Sequence, residues 1–202
     1  MDVRFPDIAN WPDIVDLVRQ LDNAKCDAEE LVSGLSEELG TWTPPSCAWS
    51  VAECLDHIAI ANSAYLNAMF EPAERARRRG RMRRAPAKPG LFGAWFVRTL
   101  EPPIKPITRR KAPRSITPRP CLPLAKALRT YLSMHDDAHI ILRASADLDL
   151  SSILFPNPFV RGVRFSLATG FNVIIAHERR HLWQAWRVRR AAEASPPAQP
   201  AR

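Results

Sequence analysis

Residues 167–192 read LATGFNVIIAHERRHLWQAWRVRRAA, and this stretch decides the architecture. Gly170, Val173, Ile174, His177, His181, Gln184 and Val188 recur at the 3.6-residue spacing of one helix face. The spacing predicts a helix that starts after Ser166 and continues to about Ala192. His177 and His181 stand four residues apart within it, so their imidazoles share a face, with Cβ atoms about 6 Å apart. Two rings so placed can grip one metal ion. A third imidazole from a neighbouring helix, for which His57 is the candidate, would complete a three-histidine set with one position open. Three protein ligands plus water is the pattern of catalytic rather than structural zinc.

Three further helices are predicted. Pro12 suits the first position of a helix, and an apolar rhythm follows from Ile14 through Leu17, Val18, Leu21, Ala24, Ala28, Leu31 and Leu35 to Leu39. Gly40 and the Thr-Pro-Pro at 43–45 end it. Ser50-Val51-Ala52-Glu53 is a capping box that opens the second helix. Its stripe is Val51, Leu55, Ile58, Tyr65, Leu66 and Met69, with His57 on the flank and turned toward the interior. The third runs from about Leu124 to Asp147. Four amphipathic helices give an all-α four-helix bundle, in which a linker of more than 40 residues makes one connection a long crossover. The expected organisation is one helical domain over 1–192 and a disordered tail over 193–202.

The crossover, residues 71–123, lies between helices two and three. It holds 15 Lys/Arg against 3 Asp/Glu and 10 of the 19 prolines. The rest of the chain holds 14 basic and 18 acidic residues, so the net charge of +8 belongs to the insert. Residues 71–84 can extend the second helix as an arginine-rich arm. A short apolar helix is expected at Leu91–Leu100, with packing through Phe92, Trp95 and Phe96. The arm can bind phosphates or an anionic surface, or be a solvated helix end. No recognition fold or interleaved aromatic pattern speaks for sequence-specific DNA binding, so nucleic acid is not an expected partner. Cys26, Cys47, Cys54 and Cys121 show no CxxC pair. No run of 18 apolar residues is long enough to span a membrane, and the first residues lack the shape of a signal peptide. A cytoplasmic protein with reduced thiols is the expectation.

Two segments resemble one family. LVSGLSEELGTWTPPSCAWSVAECLDHIA (31–59) resembles the first-to-second helix passage of the DinB/YfiT-like superfamily, with its tryptophan and serine before the helix, a glutamate, and a histidine followed by an apolar residue. PFVRGVRFSLATGFNVIIAHERRHLWQAWR (158–187) resembles the family's last helix, where two histidines four apart are followed by a glutamine. The likeness covers roughly 12–70 and 124–190 and leaves out the basic insert. It implies a metal-binding four-helix bundle in which His57, His177 and His181 hold a divalent ion, most often zinc or nickel. It also implies a metal-dependent enzyme that activates water or a small thiol, as a hydrolase or a thiol S-transferase. The partners would then be a small-molecule substrate or a low-molecular-weight thiol. The alternative is a non-catalytic stress-related or interaction protein, its metal structural or absent, with the basic arm for an acidic partner.

Other residues carry weaker signals. HERRH at 177–181 also fits H-E-x-x-H, in which Glu178 would be a general base. Only 21 residues follow His181, and they offer no downstream ligand but Glu193. Glu178 and Gln184 are the catalytic candidates; Gln184 can hold a bound water or a ligand imidazole. His135 and His139 form a second pair four apart, either as partners to the site or as polar residues of an ordinary helix. Glu53 reads as a cap and Cys54 as a buried inert thiol. Trp183 and Trp186 suit either a homodimer face or burial within one chain.

Overall fold

The computed structural model describes residues 6–44, 49–103 and 113–194. Cys47, Pro45 and the tail from 195 onward lie outside the described residues. Helix α1 spans Pro12–Val32, with proline in the first turn as expected. The helix expected to run unbroken to Leu39 instead stops there. Gly34 takes φ 69°, a left-handed conformation that costs glycine little and ends a helix. Ser36 then caps a separate short helix, α2 (Glu37–Thr41), accepting from the Leu39 amide at 3.2 Å. The apolar rhythm ran across this break because Leu35 packs on the same core as α1.

Helix α3 spans Val51–Arg78. Its capping box forms in both directions: the Ser50 hydroxyl accepts from the Glu53 amide, and the Glu53 carboxylate accepts from the Ser50 amide at 2.8 Å. Such a cap contributes about 1 kcal/mol. The first eight residues of the basic segment continue this helix, through Pro72. Helix α4 spans Leu91–Leu100, and a 3₁₀ turn covers Arg114–Ile116. Helix α5 spans Leu124–Ala144 and stops three residues short of Asp147. There Arg77 and Arg83 reach the carbonyls of Ala144 and Ala146, which cap the helix end in place of a further turn. A small hairpin follows that the sequence reading did not anticipate: β1 (Leu154–Pro156) pairs antiparallel with β2 (Arg164–Ser166). Asn157 starts its loop, its side-chain oxygen accepting from the amides of Phe159 and Val160. Helix α6 then runs over Leu167–Ala194.

The protein is mostly helical, and α1, α3, α5 and α6 make the bundle. α3 packs on α5 and α6, and α1 packs on the same two helices, so the order around the bundle is α1, α5, α3, α6. Tyr131, Phe155, Phe171, Leu55, Ile58 and Leu142 lie fully buried within it.

The described residues of the crossover pack onto this frame at several points. Arg83, expected within an exposed arm, is buried. Its guanidinium donates to both oxygens of Asp13 at 2.9 and 2.7 Å, and lies over the Trp11 ring at 4.1 Å. The arm thereby ties the start of α1 to the end of α5. Helix α4 packs on α6, though not through all the aromatic residues expected. Phe96 is partly buried against Phe165, whereas Phe92 and Trp95 stack on each other and stay exposed. The helix is turned by its closest approach: a Cβ on Gly93 would lie 2.4 Å from the Thr169 hydroxyl oxygen and 2.7 Å from its methyl. Gly93→Ala should therefore overpack this contact and cost about 1–3 kcal/mol, read as a lower midpoint in thermal unfolding.

Candidate metal centre

His57 is on α3, and His177 and His181 are on α6, the two helices packed against each other. The capping box sets the start of α3 and hence the level of His57. The four-residue spacing on α6 stacks the other two rings, whose centroids are 4.6 Å apart. His57 lies 5.0 Å from the His177 ring and 4.4 Å from that of His181. One ligand atom from each of the three falls within 4.8 Å of the others, a cluster that could hold a metal ion.

The outer nitrogen of every ring is tied to an oxygen. His57 Nδ1 donates to the carbonyl of Ile116 at 2.7 Å. His177 Nδ1 donates to the side-chain oxygen of Asn62 at 3.1 Å. His181 Nδ1 donates to the side-chain oxygen of Gln184 at 3.2 Å. Each bond fixes a tautomer in which Nε2 carries a bare lone pair, the arrangement typical of metal-ligating histidine. The Nε2 atoms of His57 and His177 then face each other at 3.2 Å. Two lone pairs at that distance repel unless a cation lies between them. Ligand nitrogens about 2.0–2.1 Å from a tetrahedral ion are about 3.3 Å apart, close to the observed separation. The residues present fit a divalent ion.

The electrostatics agree. Burial holds His177 and His181 well below the ordinary imidazole range, helped by the neighbouring rings and by Arg180. His57 is lowered mainly by burial, against opposing pulls from the Ile116 carbonyl and Asp56. All three favour the neutral form that metals require. Trp49 closes one side, its ring 4.4 Å from that of His57 and 5.8 Å from that of His181. The crossover holds the cluster from outside. Asp56, fully buried, pairs with Arg119 just beyond Ile116. Arg179 pairs with Glu101, and Arg180 donates to the Thr99 carbonyl at 3.2 Å.

Glu178 points elsewhere. It is fully buried, accepts from Asn62 Nδ2 at 3.1 Å, and lies 3.4 Å from the Tyr131 hydroxyl. Burial pushes its carboxyl up to about 8, against the Asn62 and Tyr131 hydrogen bonds. The Tyr131 hydroxyl is within reach of two acceptors, the Glu178 carboxylate and the Ala24 carbonyl at 3.2 Å. Asn62 thus joins His177 to a buried acid. Asn62 was not among the candidates, although an amide at the fourth position after Ile58, within an otherwise apolar stripe, is a visible signal. The Ile116 carbonyl is a backbone atom and had none.

Among the remaining candidates, Gln184 sits against His181 as described. His135 and His139 turn to α1: His135 Nε2 donates to the Leu21 carbonyl at 2.9 Å, and His139 Nε2 lies 3.2 Å from Asp22. Cys54 is buried, and burial pushes its thiol far up, so it is inert. Trp186 is partly buried and donates to Asp27 at 2.7 Å. Among the described residues, no helix is long and apolar enough to cross a membrane.

No curated protein and no solved structure matches this chain. The family model of the DinB superfamily matches residues 10–185, which takes in α1, the cluster on α3 and α6, and the crossover between them. The chain belongs to the DinB superfamily.

Proposed function

We propose that this protein is a metal-dependent enzyme of hydrolase or thiol S-transferase type, with His57, His177 and His181 holding a zinc or nickel ion. The observation that carries the reading is the set of three imidazoles whose Nδ1 atoms are all bonded outward, two of whose Nε2 atoms meet at 3.2 Å. An ion held by three neutral imidazoles leaves a position open, and lowers the pKa of a water or thiol bound there toward neutrality. Among the described residues no carboxylate joins the cluster, so the site keeps its cationic character. The field of Arg180, which reaches all three rings, adds to it. Such a site favours an anionic nucleophile, hydroxide or thiolate. Trp49 flanks it on the side of His57 and His181, and Ile116, Asn62 and Gln184 orient the ligand rings. The substrate is a small molecule, with a low-molecular-weight thiol as co-substrate in the transferase case. Hydrolysis of activated esters or amides, and thiol addition to electrophiles, assayed on metal-loaded and chelator-stripped protein, test the proposal. Turnover of neither class by the metal-loaded protein would defeat it.

Asn62 gives a finer test. Asn62→Ala removes the oxygen that fixes the His177 tautomer, and should weaken metal affinity about 10–100-fold, the usual effect of losing a partner to a ligand. Competition with a chelating dye reads the change directly.

A further inference from the structure

The arginine-rich end of α3 does more than cap α5. Arg75, Arg79 and Arg81 line a surface cavity of about 600 Å³, and Arg164 of β2 lines it as well. The cavity shares no residue with the histidine cluster. Its one acid, Glu71, is paired with Arg78. Arg75, Arg79 and Arg81 form no ion pair among the described residues. Arg164 spends one donor on the Leu154 carbonyl at 3.3 Å. Arg75 stands in the last turn of α3 and Arg79 at its C-cap, four residues on, a like-charge spacing that an anion between them would relieve. A concave wall of one sign focuses the field and concentrates counter-ions.

Local structure explains why these groups converge. Gly80 takes φ 61° and turns the chain after α3, so Arg81 faces the same hollow as the last helical turn. Met82 bridges to Leu148 and carries the strap toward the hairpin. In the hairpin Arg164 pairs with Pro156 and Ser166 with Leu154. The strand alternation therefore puts Arg164 on the face of Leu154 and Pro156, opposite Phe165 in the core. The floor between the arginines is apolar, with Ala76, Ile153 and Pro156.

We infer that this cavity binds a phosphate-bearing molecule, its phosphate groups held by the four guanidiniums and its less polar body laid on the apolar floor. Guanidinium is the cation suited to this, because its planar fork meets two phosphate oxygens at once and stays charged at any working pH. The phosphate can belong to a soluble small molecule or to a lipid headgroup.

Titration of the full chain with inorganic pyrophosphate, followed by calorimetry, should give saturable binding at one site. Arg75→Gln/Arg79→Gln should weaken it about tenfold or more, given the worth of hydrogen bonds to charged groups. Arg164→Gln should do the same from the hairpin, whereas Arg98→Gln, at an exposed position on α4, should leave binding unchanged. Thermal unfolding of each variant separates lost binding from lost fold. Should the Arg164 variant unfold, the helix double variant still decides, since its side chains face solvent. Flotation with phosphatidylglycerol and phosphatidylcholine vesicles distinguishes the sources: binding to the anionic vesicles that pyrophosphate competes away assigns the lipid headgroup, and pyrophosphate binding without flotation assigns a soluble ligand. Equal loss in the Arg98 variant would overturn the inference. So would binding to nucleic acid with no saturable pyrophosphate site, since general charge would then suffice.

Discussion

His177→Ala/His181→Ala protein should purify without stoichiometric metal. Metal analysis of the wild type should show about one equivalent of zinc or nickel, as three ligands on one centre require. Removing two of the three leaves His57 alone with an open shell, and the loss should exceed the roughly 100-fold upper range seen when a mere partner of a ligand is removed. The double variant should also lose activity in whichever assay detects it. Two consequences make the experiment sharp. The variant removes the repulsive Nε2 contact between His57 and His177, so metal-free wild type and metal-free variant should differ little in stability, or the variant should be the more stable. Added metal should raise the unfolding temperature of the wild type and leave that of the variant unmoved, because only a native state that binds the ion gains from it. A wild type with no metal after purification, and no thermal response to added zinc or nickel, would remove the metal centre and the enzyme reading with it.

The second large effect is structural. Asp13→Ala should destabilise the fold by about 3–5 kcal/mol, the cost of leaving a buried charge without its partner. The Arg83 side chain is only 2% exposed, and its Nε already lacks a partner. Removing Asp13 also takes the acceptor of the Ala87 amide at 2.7 Å. Each kcal/mol shifts the unfolding midpoint of a chain this long by about 2–4 °C, so the drop should be plain in calorimetry. Arg83→Met should cost less, because an unbranched apolar chain can lie on Trp11 without a charge to solvate. The pH dependence has a definite sign. Burial alone would raise the Asp13 carboxyl, but the Ala87 amide and Arg83 outweigh it and hold it below 3.8. A carboxyl lowered in the folded state stabilises above its unfolded pKa, and that contribution is lost as pH falls through the folded value. The gap between wild type and Asp13→Ala should therefore be full at neutral pH and shrink below about pH 3.8. A gap independent of pH would mean that the ion pair is not the cause.

The bundle was legible because helix periodicity and capping are local. Leu167 through Ala194 form a helix for reasons contained in those residues, and Ser50 and Glu53 start α3 whatever surrounds them. The break at Gly34 was not read, because the apolar spacing reports which face is buried and not whether the backbone between two turns is continuous. The burial of Arg83 is not legible in the sequence for a different reason. A run of arginines gives no sign of which one will meet an aspartate 70 positions earlier. Phe92 and Trp95 were expected inside, and a small residue, Gly93, made the contact instead.

The candidate centre divides the same way. Spacing alone put His177 and His181 on one face, since a helix turn brings positions four apart together. The sequence by itself thus determined four amphipathic helices, their starts, and a pair of imidazoles aimed one way. Only the packing of α3 on α6 decided that His57 meets them. Only tertiary contacts supplied the outward bonds of His57 to Ile116 and of His177 to Asn62, whereas Gln184 reaches His181 from three residues on along α6; tertiary contacts also brought Arg164 to the end of α3. The physical reason is one of range. Backbone hydrogen bonds and side-chain periodicity act over a few residues, whereas a site drawn from positions 57, 116 and 177 exists only once burial of apolar faces has fixed the helices against one another.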